Sequence, residues 1–165
     1  MKVFRRLPAE VRKSLAVEPG ERILTFVPTG APGVPPDGGH LVATNLALFL
    51  PNGTRVPYES VDRASWDEQG LHLITMDGTR HQVPVAEPWL LPETVRERVN
   101  ATIVVNKHVR LPGGRGGVRL VARRKPAGEV TGWTFVFDDG LDPADPGLRA
   151  LAEQALEGLR RSMGV

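Results

Sequence analysis

The chain opens on three apolar residues spaced four apart, Leu7, Val11 and Leu15, in LPAEVRKSLA. That spacing gives one narrow helical stripe, and Pro8 suits a first helical position, where its missing N–H has no intrahelical partner anyway. A helix over 7–16 is predicted, ended by Glu18-Pro19-Gly20. The period then falls to two. ERILTFVP (21–28) reads as a strand, and TGAPGVPPDGG (29–39) as a loop. HLVAT (40–44), ALFLP (47–51), TRVPYESV (54–61), RASWD (63–67), LHLITM (71–76) and TRHQVPV (79–85) read as further short strands. Asn52-Gly53 marks a tight turn, and Asp77-Gly78 a two-residue hairpin turn. With that turn Ile74 pairs with His81 and His72 with Val83, so His72 and His81 share a face. Short strands at this spacing mean an antiparallel sheet or barrel.

Pro88 and Pro92 interrupt the pattern, and PETVRERV (92–99) fits a short helix. ATIVVNKHVRL (101–111) alternates as a strand, with a helix continuing through 104 as the alternative. VRLVARRK (118–125) and GWTFVF (132–137) are two more strands. Trp133, Phe135 and Phe137 alternate onto one face, which places them in a core. Asp145 is a cap and Pro146 a start for a final helix, in which Leu148, Leu151, Ala152, Ala155, Leu156, Leu159 and Met163 fall at helical spacing. The fold class is therefore α+β, with helices packed on antiparallel sheet. The expected division is an N-terminal helix (1–19), a β domain (20–90), and a helix, β-meander and C-terminal helix (91–165) packed on the same domain.

Composition adds exclusions. The 165 residues contain no cysteine, which removes disulfides, thiolate metal sites and cysteine nucleophiles. The N-terminus lacks the apolar run of a secretory signal, and no stretch is long and apolar enough to span a bilayer, so a soluble, cytoplasmic protein is expected. The net charge of +2 hides segregation: residues 91–130 carry +6, and residues 21–90 carry −4. Such asymmetry can mark an anionic partner, or acidic segments can fold back and neutralise it.

The segments GHLVATNLALFLPNGTRVPYESVDRASWD (39–67) and GLHLITMDGTRHQVPV (70–85) resemble a pleckstrin-homology-like (PH-like) domain of the GRAM or bacterial PH-like kind. Leu41, Thr44, Leu48, Val56, Pro57, Tyr58 and Val61 occupy the positions that carry this likeness. The two ends of the chain are similar to uncharacterised actinobacterial proteins. The resemblance implies a PH-like antiparallel core and a binding role toward lipids, peptides or proteins. It transfers no functional residue, because the match is to structural positions.

The most conspicuous stretch is RLPGGRGGVRLVARRK (110–125). Gly114 and Gly116 begin a G-x-G-x-x-G, but Arg119 takes the third glycine's place, and no Gly-Lys-Ser/Thr occurs. A strand follows rather than the helix whose N-terminal amides would meet a phosphate. A hairpin is the better reading. If Leu111 pairs with Val118, then Arg110 faces Arg119, His108 faces Val121 and Asn106 faces Arg123. Val109, Leu111, Val118, Leu120 and Ala122 then point to the core, and His108, Arg110, Arg119 and Arg123 share the outer face. Arg110 opposite Arg119 is tolerable if the face is solvated or if an anion sits on it. The candidate anion-binding residues are Arg110, Arg115, Arg119, Arg123 and Arg124. Residues 101–130 contain no aromatic for base stacking, so nucleic acid is a weak reading.

His72 and His81 lack a third metal ligand, and DDGLDPADPG (138–147) lacks calcium-loop spacing. No serine lies in G-x-S-x-G, and the carboxylate pairs show no acid/base dyad. No catalytic residue, metal or cofactor is assigned. The expectation is a non-enzymatic binding or scaffold module acting on a protein partner or its own copy. Anion or lipid-headgroup binding through the basic face of 107–125, or an enzyme without a motif, are the alternatives. Peripheral membrane contact lacks an anchor or a basic amphipathic helix.

Overall fold

The computed structural model describes residues 6–114, 116–126 and 128–164. The chain forms two compact units, the first ending at Thr102 and the second beginning at Ile103.

In the first unit, α1 (Ala9–Ser14) precedes β1 (Ile23–Pro28), β2 (His40–Thr44), β3 (Ala47–Phe49) and β4 (Arg55–Pro57). These four strands form one antiparallel sheet in chain order. A 3-10 turn (Tyr58–Ser60) leads to β5 (Val61–Asp67), β6 (Gly70–Thr75) and β7 (Arg80–Pro84), a second antiparallel sheet in chain order. The helix α2 (Leu91–Thr102) closes the unit and packs on β1, β2, β5 and the 3-10 turn. α2 is part of the first unit, which runs past residue 90 to Thr102. Its buried side chains Leu91, Val95, Val99 and Thr102 follow the helical period onto that core.

Alternation explains the packing. Leu41 and Ala43 of β2 enter the main core with Leu48, Tyr58, Leu71, Leu73 and Val83. Val42, between them, points to the opposite face and meets Leu7, Phe49 and the α1 stripe of Val11 and Leu15. The N-terminal stripe thus covers the outer face of the four-stranded sheet. The 54–61 stretch is not one strand: β4 stops at Pro57, and Val61 already belongs to β5.

In the second unit, β8 (Ile103–Arg110), β9 (Gly117–Arg124) and β10 (Val130–Phe137) form an antiparallel meander with β9 central, followed by α3 (Pro146–Met163). The open choice over 100–106 resolves as helix to Thr102 and strand from Ile103. Leu111, Val118, Leu120, Leu148 and Ala152 are buried together, packed by Trp133, Phe135, Phe137, Leu156 and Leu159. Asp145 caps α3 by accepting from Gly147 N–H at 2.8 Å, and Gly164 ends it in the left-handed region at φ 72°. The architecture is α+β with three antiparallel sheets rather than a closed barrel. No helix of the described residues is long and apolar enough to cross a membrane.

Two turns share one form, and the second corrects the two-residue hairpin expected at Asp77-Gly78. Leu50 N–H donates to Thr54 O and Gly53 N–H to Leu50 O, each at 2.9 Å. Thr75, Gly78 and Thr79 repeat the same pattern at the same lengths. Each loop is therefore three residues long, with glycine in the left-handed region at φ 86° and 85°. The extra residue slips the β6–β7 register by one, so Leu73 pairs with His81 and His72 with Gln82. Because side chains alternate, His72 and His81 lie on opposite faces of the sheet and do not share one.

Candidate functional site

The β8–β9 hairpin carries the basic face. The pairing observed is Arg110 with Gly117, His108 with Arg119 and Asn106 with Val121, two positions from the expected register. A slip of two keeps every residue on its face but changes its neighbours. Arg110 faces a glycine rather than Arg119, which removes the direct repulsion expected between two arginines.

The five candidate arginines do not form one surface. Arg110 is exposed at the end of β8, and Arg119 is half-buried beside His108. Arg123 lies on the same face but is only 3% exposed. Arg124 is exposed, yet alternation places it on the face of Leu120 and Ala122. Arg115 lies outside the described residues.

An acidic residue enters this face from the end of β10. Asp138 Oδ1 lies 2.9 Å from His108 Nε2, and Asp138 Oδ2 accepts from Gly117 N–H at 2.8 Å. The His108 hydrogen bond, then the Gly117 N–H, then the nearby positive charges of His108 and Arg119 hold the Asp138 carboxyl below the usual carboxylate range. Gly117 makes this possible. A Cβ there would meet the His108 ring and lie 2.7 Å from Val109 O, so any side chain displaces the imidazole. The face reads as a partly neutralised cluster, His108–Asp138–Arg119, with Arg110 at its open end.

The sequence reading missed a second face. On β5–β7, Trp66, Leu71 and Val83 point inward, and Arg63, Ser65, His72, Ile74, Arg80 and Gln82 point outward. Asp67 Oδ2 meets His72 Nε2 at 2.7 Å. The Gln69 N–H first, then the His72 contact and the Gly70 N–H, hold the Asp67 carboxyl low. The signal was present in the alternation of RASWD and LHLITM, but a one-residue register error concealed which side chains share a row. Trp66 packs against the main core.

A third cluster is structural. Glu21, whose side chain is fully buried, accepts from Thr44 Oγ1 at 2.6 Å and from Glu18 N–H at 2.7 Å, and pairs with Arg55 at 3.3 Å. Tyr58 donates to Thr44 O at 2.7 Å, and burial pushes its phenol well above the ordinary value. These contacts tie the segment before β1 to β2, β4 and the 3-10 turn. Among the described residues no three His, Asp or Glu side chains converge as a metal-ligand set. No family model, curated protein or solved structure matches the chain.

Proposed function

We propose that the chain is a non-enzymatic, cytoplasmic binding module whose first unit is PH-like and whose partner is a protein. One observation carries this reading: four antiparallel strands, three antiparallel strands and a closing helix follow one another in that order, with α2 packed on both sheets. PH-like units are generally binding modules, and the step from this fold order to a protein partner is an analogy at the level of the fold. The test is affinity capture with the tagged chain from cells that express it, at low and high salt. A saturable, stoichiometric protein partner is the expected result; recovery of the chain alone at both salt concentrations would overturn the reading.

A second reading is anion or lipid-headgroup binding through the β8–β9 face. It is favoured by the absence of any Asp or Glu among residues 103–125, which hold Lys107, Arg110, Arg119 and Arg124 among others. It is weakened by Asp138, which already supplies an anion to His108 and Arg119. Co-sedimentation with anionic vesicles at two ionic strengths separates the readings, because exposed charge–charge attraction falls with salt. Arg110→Glu with Arg119→Glu abolishes vesicle binding under this second reading only.

A further inference from the structure

The outer face of β5–β7 presents two cross-strand rows. Arg63, Ile74 and Arg80 form the first, and Ser65, His72 and Gln82 form the second. Adjacent strands lie about 4.8 Å apart, which puts the two arginine backbones roughly 10 Å apart with the rows about 7 Å from each other. Arg63, Ser65, Arg80 and Gln82 are all exposed. Neither guanidinium has an acidic partner among the described residues. Ile74 between them offers no charge. Asp67, a carboxylate on this face, is engaged by His72 and by the Gln69 and Gly70 N–H groups.

We propose that this platform docks a phosphorylated side chain on a partner protein, with Arg63 and Arg80 gripping the phosphoryl oxygens from either side of Ile74. The inference rests on the reading of the chain as a protein-binding module. Charge complementarity selects the ligand. Two exposed arginines without an acidic partner among the described residues, in one cross-strand row on either side of an apolar residue, suit a compact group with nearly two negative charges and several acceptor oxygens. A single carboxylate is planar, carries one charge and satisfies one arginine fork. The Ser65 hydroxyl and the Gln82 amide, one row away, add donors without adding charge. The Asp67 contact holds the His72 ring beside them. The platform is an exposed sheet face, so a free anion gains little beyond the two arginines, whereas a phosphorylated segment also lies along the neighbouring strand surface.

The test is a titration of the 15N-labelled full chain with three probes: a capped Ala-Ala-phosphoserine-Ala-Ala peptide, its unphosphorylated counterpart and inorganic phosphate. The amides of Arg63, Ser65, His72, Ile74, Arg80 and Gln82 are expected to shift saturably with the phosphopeptide, and not with the serine peptide. Inorganic phosphate should shift the same amides at several-fold higher concentration. Arg63→Gln with Arg80→Gln should weaken phosphopeptide binding at least tenfold, with the rest of the spectrum unchanged. Arg63→Lys with Arg80→Lys should lose an intermediate amount, because charge remains and the fork does not. Absence of shifts up to about 10 mM, well above a millimolar dissociation constant, overturns the proposal. So do equal responses to both peptides, phosphate binding as tightly as the phosphopeptide, or shifts confined to residues 107–124. If affinity capture recovers one partner equally with wild-type and Arg63→Gln/Arg80→Gln chains, the platform is wrong and the binding-module reading stands.

Discussion

Replacing Glu21 with alanine should destabilise the first unit by about 3 kcal/mol, and the number follows from the geometry around it. The carboxylate is fully buried and accepts from the Thr44 hydroxyl at 2.6 Å, from the Glu18 N–H at 2.7 Å and from the Arg55 guanidinium at 3.3 Å. Removing one member of a buried ion pair costs about 3–5 kcal/mol, because its partner is left without compensation. Two facts reduce this toward the lower end. The Arg55 side chain keeps 21% exposure, and Glu18 remains 3.6 Å from its other terminal nitrogen. The Arg55 stack over Phe49, at 5.9 Å, also survives the change. Glu21→Gln keeps the size and one acceptor oxygen, so its cost should be nearer about 1.5–2 kcal/mol, the low end of the worth of hydrogen bonds to a charged group. Urea unfolding of the full chain, followed in the first unit by the amide signals of β2 and β4, measures both. A loss below about 1 kcal/mol for Glu21→Ala, or Gln costing as much as Ala, would refute the claim that a buried charge organises this corner.

Gly70→Ala should be among the most damaging single changes, because φ is 127° and the new Cβ would sit 2.5 Å from Val85 N; circular dichroism and melting temperature report it. Gly117→Ala should break the His108–Asp138 contact, because the new Cβ meets the His108 ring and the Val109 carbonyl, and the loss should be visible as changed His108 and Asp138 side-chain NMR shifts at neutral pH. Leu73→Ala, at 1% exposure, should cost about 2–5 kcal/mol through lost burial and the cavity left behind. Acid should weaken the protein in a defined window. Asp77 is pulled from 3.8 to about 2 by the Thr75 hydroxyl and by Thr79, so the unfolded chain takes up its proton first as pH falls. The stability it contributes is full above its unfolded value and is lost on the way down to about 2; thermal melts of wild-type and Asp77→Asn chains between neutral pH and that limit should converge at the acid end.

Much of the architecture was legible because it is written in periodicity. The Leu7–Val11–Leu15 stripe, the alternation in HLVAT and GWTFVF, and the Asp145-Pro146 start of α3 each depend on neighbours within a few residues. Register was not legible at the same resolution. Asn-Gly and Asp-Gly are shared by two- and three-residue hairpins, and the backbone bonds that choose between them form only with the flanking strands in place. One residue of error there changed which histidines share a face. At the β8–β9 hairpin two residues of error left the faces intact but changed the partner of Arg110. The approach of Asp138 to His108 was hidden for a different reason: it joins residues thirty positions apart through a glycine whose role is to have no side chain. The burial of Arg123 likewise depends on tertiary packing that no local pattern records.

The three-residue loops also bear on how the molecule ages. An Asn-Gly peptide deamidates when the glycine nitrogen attacks the asparagine side-chain carbonyl. In the folded chain the Gly53 N–H is held by Leu50 O at 2.9 Å, and Asn52 Oδ1 accepts from Thr54 N–H at 3.0 Å, so the turn must open before the attack can proceed. The Asp77-Gly78 loop is held in the same way, and its isomerisation is slowed for the same reason. Chemical damage at Asn52 and Asp77 is therefore a clock that advances while the loops are open, and its extent in an old sample measures how much time those two loops have spent open.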